Sequence, residues 1–411
     1  MKRHSILFLL LFLIPDVYSQ VKPKDLDALI EKAQKQWNVP GLAVAVVKDG
    51  EVVLSKGYGT LEEGKKEKVD GATLFAIASN TKGFLSSAVA TLVAEDKLNW
   101  DDKVKKHLPY FEMYDPYVTH DITIRDLLCH RAGLGTFSGD AIWYKSELPA
   151  EEIVKLARHV PQAFPFRGGY GYSNLMFITA GEVIKAVTHK TWDEYVAETF
   201  FQPLDMNRTI TSTNLLEAKG NAAVPHKTQL DKNQPIEWVN WDNIGAAGGI
   251  ISSSDDMAKW MIMHLNHGIV DSDTLLDPMQ QNTLWTLHNN YTLSAASKER
   301  LPGRHFSGYG LGYGLQDYYG RMIVSHGGGY DGMYSRLAMI PDERLVVVVL
   351  TNSMSGISAP LIYAVFNLFI AEDQRDWLAD FYFPQEEDQR IIKLKENRKT
   401  GTKPSADQSD Y

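Results

Sequence analysis

The chain of 411 residues carries a single cysteine, Cys129, so no disulfide can form within it and a fold of this length must be held by its apolar core. Without a second thiol beside it, Cys129 is expected to be packed rather than reactive. Positive charge is also in short supply. Lysine and arginine number 42 against 51 aspartates and glutamates, a net charge of −9. Such a balance lacks the basic face that phosphate backbones require, so no nucleic-acid partner is expected. Beyond the first 19 residues no run approaches the roughly 20 apolar residues of a spanning helix, which predicts no membrane span in the mature chain. Three catalytic signatures are missing as well: His-Glu-x-x-His, Gly-x-x-x-x-Gly-Lys-Ser/Thr and Gly-x-Ser-x-Gly. Zincins, P-loop nucleotidases and ordinary α/β-hydrolases drop out with them. The series Gly308, Gly310, Gly312, Gly314 does not have dinucleotide-binding spacing and reads as a glycine-rich approach to a strand. No cofactor and no metal is expected.

Apolar residues make up 44 % of the chain, enough to offset the entropy of ordering it. Residues 1–19 read as an export signal: Lys2, Arg3 and His4, then the apolar run Ile6 to Ile14, then Val17-Tyr18-Ser19 before Gln20. A secreted or periplasmic protein is the expectation. Leu26, Leu29, Ile30, Ala33 and Trp37 have helical spacing, ended by Pro40. The apolar runs 41–47 and 51–54 flank Lys48-Asp49-Gly50, where Asp-Gly supplies the positive φ angles of a tight hairpin. Three more strand-like runs, 322–325, 335–340 and 345–351, lie near the other end, while 79 to about 300 reads mostly helical. The expected fold is therefore α/β: one antiparallel sheet built from both chain ends (residues 20–78 and 306–384), flanked by helices, with a largely helical inserted subdomain (79–305) and a cleft between them. From Gln385 to Tyr411 the chain is polar and without apolar periodicity, a tail or linker.

Three constellations carry chemistry. In Ser79-Asn80-Thr81-Lys82 the serine and lysine lie three apart at the head of an apolar helix, on one face, so a desolvated amine can take or relay the hydroxyl proton. Taken alone, Ser79 could equally be a helix N-cap. In Tyr172-Ser173-Asn174 a tyrosine whose pKa is lowered by a nearby lysine can act as base, and an asparagine amide can orient both the lysine and a substrate carbonyl; a polar loop entering a helix is the plainer alternative. In His326-Gly327-Gly328-Gly329, at the end of a strand-like run, the glycines let a substrate backbone approach and an amide face an oxyanion. His326 could be an electrophilic or proton-relaying partner titrating across pH 5.5 to 7.5, or simply part of a turn.

In this order, Ser-x-x-Lys, Tyr-x-Asn and His-x-Gly resemble the three signature motifs of the serine β-lactamase and penicillin-recognising superfamily. The segments 123–133, 247–257 and 310–326 look familial too, so the resemblance spans residues 25 to 375 or so. It implies an α/β sandwich with an all-α subdomain. It also implies that Ser79 is the acylated nucleophile, Lys82 its proton partner, Tyr172 the base and later acid, Asn174 a ligand of the substrate carbonyl, and the amides of Ser79 and Gly329 the oxyanion hole. His326 stands where many members have lysine, which favours the class C-related branch of D-residue peptidases and small-acyl esterases over true β-lactamases. A non-catalytic or slow-deacylating penicillin-binding or sensor protein, or a β-lactamase, is the alternative. The partner in each case is a small-molecule or peptide substrate. His130 and Arg131, in the first familial segment, read as packing or salt-bridge residues.

Overall fold

The computed structural model describes residues 21–229, 232–301, 303–371 and 375–382. The expected export signal and polar tail lie outside the described residues. Eight strands form one antiparallel sheet: β1 (Gly41–Lys48), β2 (Glu51–Gly59), β3 (Asn289–Asn290), β4 (Ser307–Tyr309), β5 (Gly314–Tyr318), β6 (Arg321–Tyr330), β7 (Met333–Ile340) and β8 (Leu345–Thr351), in the spatial order β2-β1-β8-β7-β6-β5-β4-β3. The two chain ends thus meet at β1 and β8, with Leu42 opposite Thr351 and Lys48 opposite Leu345. The β1–β2 turn uses Asp49 at φ +57° and Gly50 at φ +88°, as the Asp-Gly pair predicted.

β1 is buried on both faces, which is why it reads as an unbroken apolar run rather than an alternation. Its small residues Ala43 and Ala45 face the helical region, and Leu42, Val44 and Val46 face the other side. That second side is covered by α1 (Pro23–Gln36), through Leu26, Ile30 and Ala33, and by a helix at Ser358–Ile370 whose apolar residues almost surround it. On the first side lie α2 (Thr81–Ala94), α3 (Asn174–Thr188) and α4 (Ser254–Leu265), each presenting buried side chains to the larger core. α2 is buried on every side from Thr81 to Leu92. Cys129 is fully buried in that core, and burial pushes its thiol up to about 12, so it packs as expected.

Two sequence expectations change. The glycine run at 327–329 does not end a strand; it lies within β6, paired with Arg336, Ser335 and Tyr334 of β7. Residues 289–290, assigned to the helical insert, add β3 to the edge of the sheet. A two-residue strand carries too little pattern to be seen in sequence.

Candidate active site

Ser79 sits on a sharp turn. Residues Phe75–Ala76 pair with Ile251–Ser252, the Ile77 amide bonds the Ile250 carbonyl at 3.0 Å, and then Ala78 takes φ +46° before the chain enters α2 through one tight turn, Ala78–Asn80. A non-glycine residue in that region costs on the order of 1 kcal/mol and persists only where its surroundings enforce it. Here they do: Asn80 Nδ2 donates to Ser335 Oγ at 2.7 Å, and Ser335 Oγ donates to the Ile77 carbonyl at 2.7 Å, tying the turn to β7. Ser79 is left partly exposed between two buried neighbours. No side-chain cap bond occurs at this helix start, so the N-cap alternative is not the one adopted.

Lys82, 0 % exposed, stands one turn further on and reaches three oxygens. Its Nζ lies 2.7 Å from the Ala247 carbonyl, 2.8 Å from Asn174 Oδ1 and 3.1 Å from Ser79 Oγ. Burial lowers its pKa to about 7, opposed only by the negative charge of Asp140. The two carbonyl oxygens can only accept. When the amine is neutral, its two hydrogens go to them and its lone pair faces Ser79 Oγ. Asn174 is held in the required orientation by Asp140, whose Oδ2 accepts from Asn174 Nδ2 at 2.9 Å while Oδ1 accepts from Trp143 Nε1 at 2.9 Å. Burial raises the Asp140 carboxyl above its ordinary value; these two bonds and Lys82 act against it.

Tyr172 closes the group on the other side. Its ring lies 4.9 Å from Lys82 Nζ, and its hydroxyl is hydrogen-bonded to Ser79. Desolvation pushes the phenol well above its ordinary pKa, and the Ser79 bond only partly offsets this. The expected lowering by lysine is therefore absent: a half-titrated Lys82 offers little positive field, and burial dominates. His130 packs beneath Tyr172 with ring centroids 4.3 Å apart, and its Nδ1 accepts from the Ser173 amide at 3.0 Å, which fixes the backbone beside Tyr172. Arg131 and Arg167 both bond the buried Asp126, anchoring the loop that carries Tyr172. His130 and Arg131, of the first familial segment, thus make the packing and salt-bridge contacts expected of them.

His326 departs from expectation. Its Nδ1–H donates to the Gly327 carbonyl at 2.6 Å, so its Nε2 is the acceptor, taking the Tyr309 hydroxyl at 2.7 Å. Burial, then Lys82, hold its pKa at about 3. It is neutral across pH 5.5 to 7.5, and both nitrogens are engaged within the protein. The group that titrates in that window is Lys82. The glycines also divide their work. A methyl on Gly328 would lie 2.2 Å from the Ile77 carbonyl oxygen and 3.0 Å from the Ser79 nitrogen, so this position lets β6 touch the nucleophile turn. At Gly329 the nearest atom would be the Met354 methyl at 3.5 Å, leaving room over the strand. Because β5 pairing ends at Gly314 opposite Ser325, the 326–330 stretch of β6 has an edge without a strand partner on that side.

These groups line a cleft of about 590 Å³ walled by aromatic rings, among them Trp143, Tyr170, Trp241 and Tyr309. Arg336, half-buried on β7 opposite Gly327, also lines it and has no ion pair among the described residues. Sequence reasoning brought together Ser79, Lys82, Tyr172, Asn174, His326 and the three glycines. It missed Asp140, Tyr309, Arg336 and the Ala247 carbonyl, none of which sits at a telling spacing. Among the described residues no cluster of three or more histidine, cysteine, aspartate or glutamate side chains could hold a metal ion.

A family model described as Beta-lactamase matches residues 26–367. The unguisins hydrolase ungD' of Aspergillus campestris (strain IBT 28561) is 30% identical over 372 residues, which cover 86% of this chain and 67% of that protein. Among solved structures, the octameric penicillin-binding protein homologue from Pyrococcus abyssi matches with a TM-score of 0.74 at 22% identity, over 91% of this chain and 82% of that one. A D-stereospecific amidohydrolase from Streptomyces sp. matches with a TM-score of 0.67 at 24% identity, over 84% and 99%. The two structural likenesses concern the fold.

Proposed function

The chain belongs to the Beta-lactamase family and is a serine hydrolase of it, and on that premise we propose that it hydrolyses amide bonds of short peptides containing D-residues through a Ser79 acyl-enzyme. The observation that carries this reading is the placement of Lys82 Nζ, whose two shortest contacts are carbonyl oxygens and whose third is Ser79 Oγ. Lys82, half neutral near pH 7, takes the Ser79 proton as Oγ attacks the substrate carbonyl. Negative charge on the carbonyl oxygen is met by the amides of Ser79 and Gly329. Tyr172, whose phenol burial keeps protonated, passes its proton to the leaving amine and is reprotonated by the Lys82 ammonium beside its ring, which carries the proton taken from Ser79. Water then attacks the ester with the proton flow reversed, releasing the acid and restoring Ser79–OH.

Peptides suit the cleft better than small acyl esters, because the unpartnered edge of β6 accepts an extended backbone. Antiparallel addition directs the leaving side of the substrate toward His326 and Arg336, where an unpaired guanidinium matches a terminal carboxylate. The amide bond and D-configuration follow the printed name of the D-stereospecific amidohydrolase, and hydrolysis that of the unguisins hydrolase. Export through residues 1–19 belongs to the same reading and predicts a mature amino terminus at Gln20, checked by sequencing the secreted protein. The test is turnover by residues 20–411 and by Ser79→Ala on a D-alanyl anilide, a short acyl ester and a chromogenic cephalosporin. Ser79-dependent turnover led by the anilide supports the proposal. Equal turnover by Ser79→Ala overturns it, and a stable penicillin adduct on Ser79 without turnover points to the binding or sensor alternative.

A further inference from the structure

The catalytic cleft does not end at Gly329. It shares Trp143, Trp241, Gly329 and Met354 with a second groove of about 970 Å³ that runs on past Tyr144 and Tyr330 toward Trp37 and Tyr382. Its walls are braced. Trp143 meets Trp241 edge to face at 5.7 Å, Trp241 meets Tyr330 at 4.7 Å, and Trp37 meets Tyr382 at 5.2 Å. Tyr330 exchanges hydrogen bonds with the backbone of Val239, pinning the 236–241 loop to the end of β6. A trough this large, continuous with the catalytic cleft, exceeds what a single acyl residue fills.

Its wall carries Lys227 and Arg300 and, nearest the catalytic cleft, one carboxylate. Asp331, in the β6–β7 turn, has Oδ1 accepting the Tyr144 hydroxyl at 2.7 Å, while Oδ2 has no partner among the described residues. Among the described residues no ion pair involves it. The titratable groups around it are Tyr144, whose hydroxyl it raises, Tyr330, which also feels Asp242, Lys145 beside the Tyr144 ring, and Lys227 on the groove wall. Asp331 is two residues past Gly329, in the turn that follows the last residue of β6, Tyr330. A peptide laid antiparallel on β6 runs its acyl side in that direction. The residue two positions on the amino side of the scissile one then comes level with Asp331.

Resting on the hydrolase reading above, we propose that this groove is an acyl-side subsite for an alkylammonium group, carried by the third residue from the scissile bond and held by Asp331 with Tyr144. A free amino terminus and a lysine side chain share that chemistry. The experiment uses residues 20–411 and tripeptide anilides ending in D-alanine. Their first residue is acetyl-lysine, acetyl-norleucine, acetyl-glutamate or unacetylated norleucine. Wild type should favour one or both ammonium-bearing peptides over acetyl-norleucine by about tenfold in kcat/KM, the factor of one hydrogen bond to a charged group at the low end of its range, with glutamate last. The lysine and free-terminus arms identify the source. Asp331→Asn should bring all four within about twofold while turnover of acetyl-norleucine stays unchanged, and Asp331→Lys should move glutamate to first place. A preference that survives Asp331→Asn, or no preference in wild type, overturns the subsite. Binding of the matching peptide amides to Ser79→Ala, read from tryptophan fluorescence, should show the same ranking. If wild type turns over none of them yet that ranking holds, the hydrolase reading fails and the subsite stands.

Discussion

At the foot of α2 the ionisable and polar groups are matched to one another inside the protein: Lys82 with two carbonyls and Ser79, Asn174 with Asp140, His326 with Tyr309 and the Gly327 carbonyl. At the two ends of the cleft the opposite holds, since Arg336 and Asp331 carry charge that no described residue neutralises by an ion pair. The first arrangement sets proton affinities before substrate arrives, which is what chemistry on an amide needs. The second leaves desolvation and pairing to be completed by a ligand, which is what discrimination needs. The chemical centre is built from backbone and buried side chains; the selectivity is built from walls.

That contrast can be broken most forcefully at Lys82. Lys82→Ala should lower kcat by about 10³-fold, within the range for a general base, with little change in KM, because the ends of the cleft are untouched. Gly328→Ala should come next. Its methyl collides with backbone at Ile77 and displaces the Ser79 turn, and about a 10²-fold loss of kcat is expected from a misplacement of that order. Neither variant should alter the ranking of substrates. At the ends the pattern reverses: Arg336→Met should raise KM about tenfold for a peptide with a free terminal carboxylate and leave kcat and the corresponding amide unaffected. The smallest effect is on the pH profile. Lys82 acts as the neutral amine, so kcat/KM should rise with pH through about 7. Asp140→Asn removes the one charge that raises Lys82 and should move this limb to lower pH, whereas His326→Gln should leave its position alone because that imidazole is already neutral.

Much of the fold was legible. The β-branched runs at 41–47 and 345–351 and the Asp49-Gly50 turn forced a sheet made from both ends, because each run needs a partner and a tight turn dictates an antiparallel one. The helix at 358–370 escaped notice because its residues, Ser-Ala-Pro-Leu-Ile-Tyr-Ala-Val-Phe-Asn-Leu-Phe-Ile, show no one-sided period. In the site, Ser79 with Lys82 and Tyr172 with Asn174 were visible because a fixed short spacing on a helix or its lead-in brings each pair together. Asp140 reaches Asn174 from 34 residues away and Tyr309 reaches His326 from 17, and no local rule encodes either meeting. The protonation of His326 and Tyr172 was misjudged for a related reason. Reference pKa values describe a solvated group, and burial is decided by tertiary packing.

The pairing of β1 with β8 has a kinetic side. The Gly41 amide donates to Asn352 Oδ1 across a separation of 311 residues, and closing a loop of that length costs about 5 kcal/mol of chain entropy before any contact is gained. The helical region therefore has reason to condense first, with the 41–59 hairpin holding a bare edge until the last strands arrive. Ser79 and Lys82 are made early, at the turn into α2 and in its first turn, yet the strand that bears Gly328 and the serine that pins the nucleophile turn come about 250 residues later. A chain interrupted before β6 would carry the nucleophile without the surface that shapes it, so the chemistry of Ser79 waits on strands made about 250 residues after it.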